Sequence, residues 1–177
     1  MTDLDFYAHV ATRGDVLGAG ISDPPEAWEA ALGSDCLDDV SHGLMRRDYG
    51  LVELSFEEAD GAWSCFGISV RIHRLSTGDA SMVPPPLRNA YGSFAPRVRS
   101  DELSAVLTRL GHSIEPDDNA TTTDVRRYRV AETGTRIFVV ADPDPYGYGG
   151  PDPDAPGPRA GDVRSLSLSP SWWRSEN

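Results

Sequence analysis

Two stretches of the chain alternate apolar and polar residues with a period of two. In Leu51 to Phe56, Val52, Leu54 and Phe56 interleave with Glu53 and Ser55; from Trp63 onward, Phe66, Ile68, Val70 and Ile72 interleave with Gly67, Ser69, Arg71 and His73. Successive strand side chains point to opposite faces, so each run predicts a strand with one buried face. The intervening Glu57-Glu58-Ala59-Asp60-Gly61 is turn-forming, and the whole predicts a β-hairpin. A helical period appears in Leu103, Val106, Leu107 and Leu110, introduced by Ser100-Asp101-Glu102 and closed by Gly111. A shorter helix is predicted where Ser22-Asp23-Pro24-Pro25 leads into Glu26 to Leu32 and Gly33. Ser34 to Leu44 reads as a further helical turn or two limited by Gly43, which would put Asp38 and His42 on one helical face.

The second half repeats this order. Asp124 to Val130 and Thr135 to Ala141 form a strand pair around Thr133-Gly134, and Val163 to Ser169 alternates Leu166 and Leu168 with serines. The pattern predicts an α+β fold in which short helices accompany antiparallel sheet, within a single domain over residues 1–177. Helix-then-hairpin units at 1–75 and 99–177 would make it a pseudo-duplication, with 76–98 as an irregular proline-rich connector carrying Pro84-Pro85-Pro86 and Pro96. The same order also fits one α+β domain with no ancestral repeat. Residues 142–162 hold six prolines, five glycines and five aspartates, a composition that predicts a mobile loop.

Charge changes the picture. The 177 residues carry 28 acidic side chains against 16 basic ones, a net charge of −12, which excludes nucleic-acid binding through a basic face. The excess is local: Ser22 to Asp60 holds eleven acids against Arg46 and Arg47, a balance of −9, whereas Gly61 to Arg99 holds five arginines and one aspartate. All the basic residues are arginine, so Schiff-base and P-loop lysine chemistry are excluded. The first residues lack a basic start followed by an apolar run, and no apolar stretch approaches membrane-spanning length. A cytoplasmic protein is the expectation, with no membrane association and with Cys36 and Cys65 as reduced thiols.

Candidate chemistry is sparse. His9, His42, His73 and His112 lie far apart and form no metal-binding motif. The aspartates at alternate positions of 142–162 lack the terminal glutamate of a calcium loop. Gly18-Ala19-Gly20 follows no hydrophobic strand and reads as part of a turn, and no Gly-x-Ser-x-Gly elbow occurs. Glu57, Glu58 and Asp60 could furnish paired carboxylates for acid–base work but would sit on a well-solvated turn, which does not suit them to it. Cys65 reads as an ordinary strand cysteine. Trp172-Trp173 reads as a terminal core staple or as an interface pair. No catalytic residue, metal or cofactor is expected.

Residues 33–75, above all Asp48-Tyr49-Gly50-Leu51-Val52-Glu53-Leu54-Ser55-Phe56 with Trp63 and the strand Ile68 to Ile72 behind it, resemble small bacterial immunity proteins of polymorphic toxin systems. Those proteins often carry a YG-x-(aliphatic)-E-(aliphatic)-x-F strand after a short helical leader. The resemblance implies a non-enzymatic protein that binds and neutralises a cognate toxin domain. An acidic face suits that role, since it complements the basic cleft of a toxin acting on nucleic acid or nucleotides. Asp35, Asp38, Asp39, Glu57, Glu58 and Asp60 are the expected binding edge. The alternatives are a small-molecule-binding regulatory domain, using a pocket between sheet and helix, and an enzyme with a dispersed site holding His73 or His112 beside a carboxylate.

Overall fold

The structure is a computed structural model that describes residues 1–117, 123–149, 154 and 157–170. Trp172-Trp173 and part of the 142–162 loop lie outside the described residues. Helix α1 (Asp3–Arg13) opens the chain, started by a capping box in which Thr2 and Asp5 satisfy each other's backbone N–H groups. Its apolar stripe buries Phe6, Tyr7 and Val10. Strands β1 (Asp15–Val16) and β2 (Ala19–Gly20) form a two-residue-loop hairpin, and α2 (Pro25–Leu32) follows with Trp28 and Leu32 buried.

Four antiparallel strands come next: β3 (Leu37–Ser41), β4 (Leu44–Asp48), β5 (Val52–Ala59) and β6 (Ala62–Val70). Two 3₁₀ turns, α3 (Pro85–Tyr91) and α4 (Ser100–Arg109) lead to β7 (Ile114–Pro116), β8 (Val125–Val130), β9 (Arg136–Val140) and β10 (Val163–Leu168). All eight strands from β3 onward join one antiparallel sheet in the order β3-β4-β5-β6-β10-β9-β8-β7. Each half of the chain thus sets a helix ahead of a four-stranded run, and the two runs meet through their last strands. The fold is α+β, as the alternation predicts.

The core forms where one sheet face meets the helices. Met45, Leu54, Phe56, Ile68, Val70, Ile137, Val139 and Leu166 pack with Phe6, Tyr7, Trp28, Leu103 and Leu107. Fully burying one such side chain contributes roughly 1.5–3 kcal/mol. No helix among the described residues is long and apolar enough to cross a membrane.

Three local expectations are corrected. Ser34 to Leu44 is not helical: it contains β3 and the turn into β4. His42 and Gly43 both have positive φ, 52° and 75°, the backbone of a type I′ turn, whose twist joins two antiparallel strands through two residues. Asp38 and His42 therefore lie on a strand and a turn, not on one helical face. The connector is not irregular throughout. Pro85 occupies the first turn of α3, where no intrahelical N–H is required, and Tyr91 and Phe94 stack edge-on against Phe6 with centroids 5.3 and 5.6 Å away. Phe66 does not continue the buried row of β6. The register shifts after Ser55, so that Phe56 pairs with Cys65; Cys65 takes the core position and Phe66 is left partly exposed.

Candidate functional site

Strands β3, β4 and the end of β5 bring most of the acidic segment to one edge of the sheet. Alternation divides these acids. The cross-strand row Val40–Met45–Phe56–Cys65 and the row Asp38–Arg47–Leu54–Ile68 lie on the face that meets the helices, while Leu37, Asp39, Ser41, Leu44 and Arg46 lie on the other.

Asp38 is consequently engaged within the fold. Its two carboxylate oxygens accept hydrogen bonds from Arg47 Nε and Nη2 at 2.8 and 2.7 Å, a bidentate pair. Arg47 also donates to the Pro25 carbonyl at 3.2 Å and lies 6.0 Å from the Phe56 ring centroid. The Arg47 hydrogen bonds hold the Asp38 carboxyl below the ordinary carboxylate range. Asp39, one residue on, is exposed and reaches only a loose 3.8 Å contact with exposed Arg46. Glu57, Glu58 and Asp60 are exposed beside the β3–β4 turn, where the Glu58 amide donates to the Gly43 carbonyl. Asp35 is exposed at the opposite end of β3. Asp35, Glu57, Glu58 and Asp60 have no cationic partner among the described residues.

A second cluster was not singled out in the sequence. Asp48 and Glu53 lie directly opposite each other on β4 and β5, a like-charge pair that destabilises a sheet unless neutralised. Arg74 bridges them, donating to Asp48 at 2.8 Å and to Glu53 at 3.0 Å, and Arg71 donates to Glu53 at 2.8 Å. Arg74 also donates to the Gly50 carbonyl at 2.8 Å. The signal was present: two acids of the −9 segment face two arginines of the positive segment that follows it. This clasp turns Asp-Tyr-Gly-x-x-Glu into a structural element and removes Asp48 and Glu53 from the free acidic surface.

A groove of about 670 Å³ lies between α4 and strands β7 to β9, with Leu103, Ile114, Tyr128, Ile137 and Val139 as its apolar wall and Ser104 and His112 among its polar groups. His112 Nδ1 is 3.5 Å from Glu132. Both oxygens of that carboxylate also accept from the Ser113 amide, at 3.0 and 3.1 Å, tying Glu132 to the backbone. His73 lines a separate cavity of about 540 Å³ with Asp124, Asp142 and Asp144. Burial draws its imidazole below its ordinary pKa, and Nδ1 lies 3.2 Å from the Arg164 carbonyl. Cys65 is buried and free, and burial pushes its thiol up to about 12, so it is held as a neutral thiol. Comparison with protein-family models, curated proteins and solved structures finds no match to this chain.

Proposed function

We propose that this chain is a non-enzymatic immunity protein that binds a cognate toxin domain through the acidic edge formed by β3, the β3–β4 turn and the end of β5. The observation that supports the reading is the concentration of exposed acids there: Glu57, Glu58 and Asp60 around the hairpin end and Asp35 beyond the start of β3, with no cationic partner among the described residues, and Asp39, held only by its loose contact with Arg46. The structure neutralises Asp38, Asp48 and Glu53 with arginines, yet leaves these exposed. Such a field raises association rates with a basic partner and falls off with salt.

The test is co-expression with the C-terminal domain of the protein encoded directly upstream. Restored growth and a complex on size exclusion support the reading; unrelieved toxicity with no complex refutes it. In that complex, Asp39→Lys, Glu57→Lys and Glu58→Lys together are expected to slow association about tenfold or more at low salt, with the difference narrowing as salt rises. Asp38 is left untouched because its substitution would disturb the fold. Stopped-flow association rates that do not respond to the triple reversal would remove the edge from the interface.

The groove under α4 favours a second reading, a small-molecule-binding regulatory domain. Its volume falls within the range of about 300–1,000 Å³ typical of ligand pockets. A metabolite that raises the melting temperature of the native chain, but not of a Ser104→Trp variant with the groove filled, would establish it. A library with no such compound would count against it.

A further inference from the structure

We propose that β3 is an open docking edge on which an extended basic segment of another protein adds as a ninth strand. The proposal deepens the reading of an acidic partner-binding edge and rests on it for the partner's identity as a toxin domain. In a two-residue hairpin the residues flanking the turn exchange both hydrogen bonds, so Ser41 pairs with Leu44, Asp39 with Arg46 and Leu37 with Asp48. The N–H and C=O groups of Asp38 and Val40 therefore point away from β4, along a strand exposed at all five positions.

The sheet's two outer strands differ. Strand β7 is three residues long and ends on Pro116, the blunted form of edge that resists pairing. Strand β3 is a regular five-residue run with no proline and no register shift, about 17 Å of ladder at roughly 3.4 Å per residue that pairs with nothing beyond β4 among the described residues. Three large apolar side chains are exposed on this hairpin: Leu37 at 77%, Val40 at 57% and Leu44 at 54%. Val40 lies on one face of the edge, with Leu37 and Leu44 on the other, so an added strand would find apolar contact on both sides.

Charge selects the occupant. A second copy paired antiparallel over all five residues would set Asp39 opposite Asp39, a destabilising cross-strand pair. Acids also flank the edge, with Asp35 at one end and Glu57, Glu58 and Asp60 at the other. A strand with arginine or lysine at alternate positions meets this potential favourably while its backbone completes the ladder.

The experiment uses the full chain and three capped eight-residue peptides: alternating Arg and Val, alternating Glu and Val, and the Arg/Val peptide N-methylated at every residue, so that neither edge can donate to β3. Binding is read by fluorescence anisotropy and by amide exchange at Asp38 and Val40. The Arg/Val peptide is expected to bind saturably and protect both amides. N-methylation and Val40→Pro, which removes an outward N–H and spares the β4 ladder, are each expected to weaken it about tenfold or more. The Glu/Val peptide is expected not to bind. Arg/Val binding indifferent to N-methylation overturns the proposal, because the attraction is then charge alone. That arm needs no variant to fold. A concentration-dependent dimer in sedimentation, abolished by Val40→Pro, also overturns it by assigning the edge to a second copy. If the triple charge reversal abolishes toxin neutralisation and Val40→Pro does not, strand addition fails and the inhibitor reading stands. If the basic peptide adds to β3 but no toxin is neutralised, the inhibitor reading fails and the docking edge stands.

Discussion

Gly50→Ala is expected to lower the unfolding free energy by roughly 2–5 kcal/mol, combining about 1–2 for a left-handed residue with about 1–3 for overpacking. Gly50 has φ of +87°, and a Cβ there would run into the carbonyl oxygen of Met82, with Met82 C and Cα at 3.0 Å. That carbonyl cannot give way freely, since it accepts the Leu51 amide at 2.7 Å. The Gly50 carbonyl in turn accepts from Arg74, which bridges Asp48 and Glu53. The close approach of the β4–β5 connection to Met82 and the acid–arginine clasp thus share one residue without a side chain. Gly18→Ala separates the two costs: its φ is +90° but nothing lies within 4 Å of the added carbon. Urea denaturation should therefore show a loss of about 1–2 kcal/mol at Gly18 and a clearly larger one at Gly50. Equal losses would mean that the approach to Met82 does not constrain the fold. The Tyr49-Gly50 step thus acts on backbone packing.

The elements legible in the sequence are those whose own pattern matches their burial. Strands β5 and β6 and helix α4 each bury an apolar face, so their spacing announces them, although Glu53 on the other face of β5 is buried as well, beneath Arg71 and Arg74. Helix α1 carries equally plain signals, a Thr2/Asp5 cap and a Phe6, Tyr7, Val10 stripe. Strands β3 and β4 had no such pattern to offer. Leu37 and Val40 fall on opposite faces and both are exposed, so Leu-Asp-Asp-Val-Ser writes no alternation; its conformation comes from pairing with β4, itself fixed against β5 by Met45 and Phe56. Gly43 was legible as a breaker but ambiguous in kind, since a helix stop and a type I′ turn both require positive φ. In α3, Pro84-Pro85-Pro86 reads as a break unless the prolines are placed in a first turn. The same limit divided the candidate site. Asp38 and Asp39 are indistinguishable neighbours in sequence, and only the strand's alternation sends one to Arg47 and the other to solvent.

Asp38→Ala is expected to destabilise the protein by about 2–3 kcal/mol, below the roughly 3–5 typical of breaking a fully buried pair, because its carboxylate side chain is 35% exposed. The loss arises from Arg47, whose side chain is only 10% exposed and would stay beside Phe56 and the Pro25 carbonyl without a counter-charge. Asp39→Ala should move stability by no more than about 0.5 kcal/mol, as its contact with Arg46 is loose and solvated. The pH dependence distinguishes the ion pair from lost packing. Arg47 depresses the folded-state pKa of Asp38 below the ordinary 3.8, so the pair's contribution is present above that value and is lost as pH falls through the folded pKa. Urea midpoints of native chain and Asp38→Ala should therefore differ by a constant amount from about pH 5 to 7 and converge below about pH 4. A gap that stays constant into acid would mean that Asp38 acts through packing alone. Convergence would establish that this acid serves the hairpin's structure, in contrast to the exposed Asp39, Glu57 and Glu58.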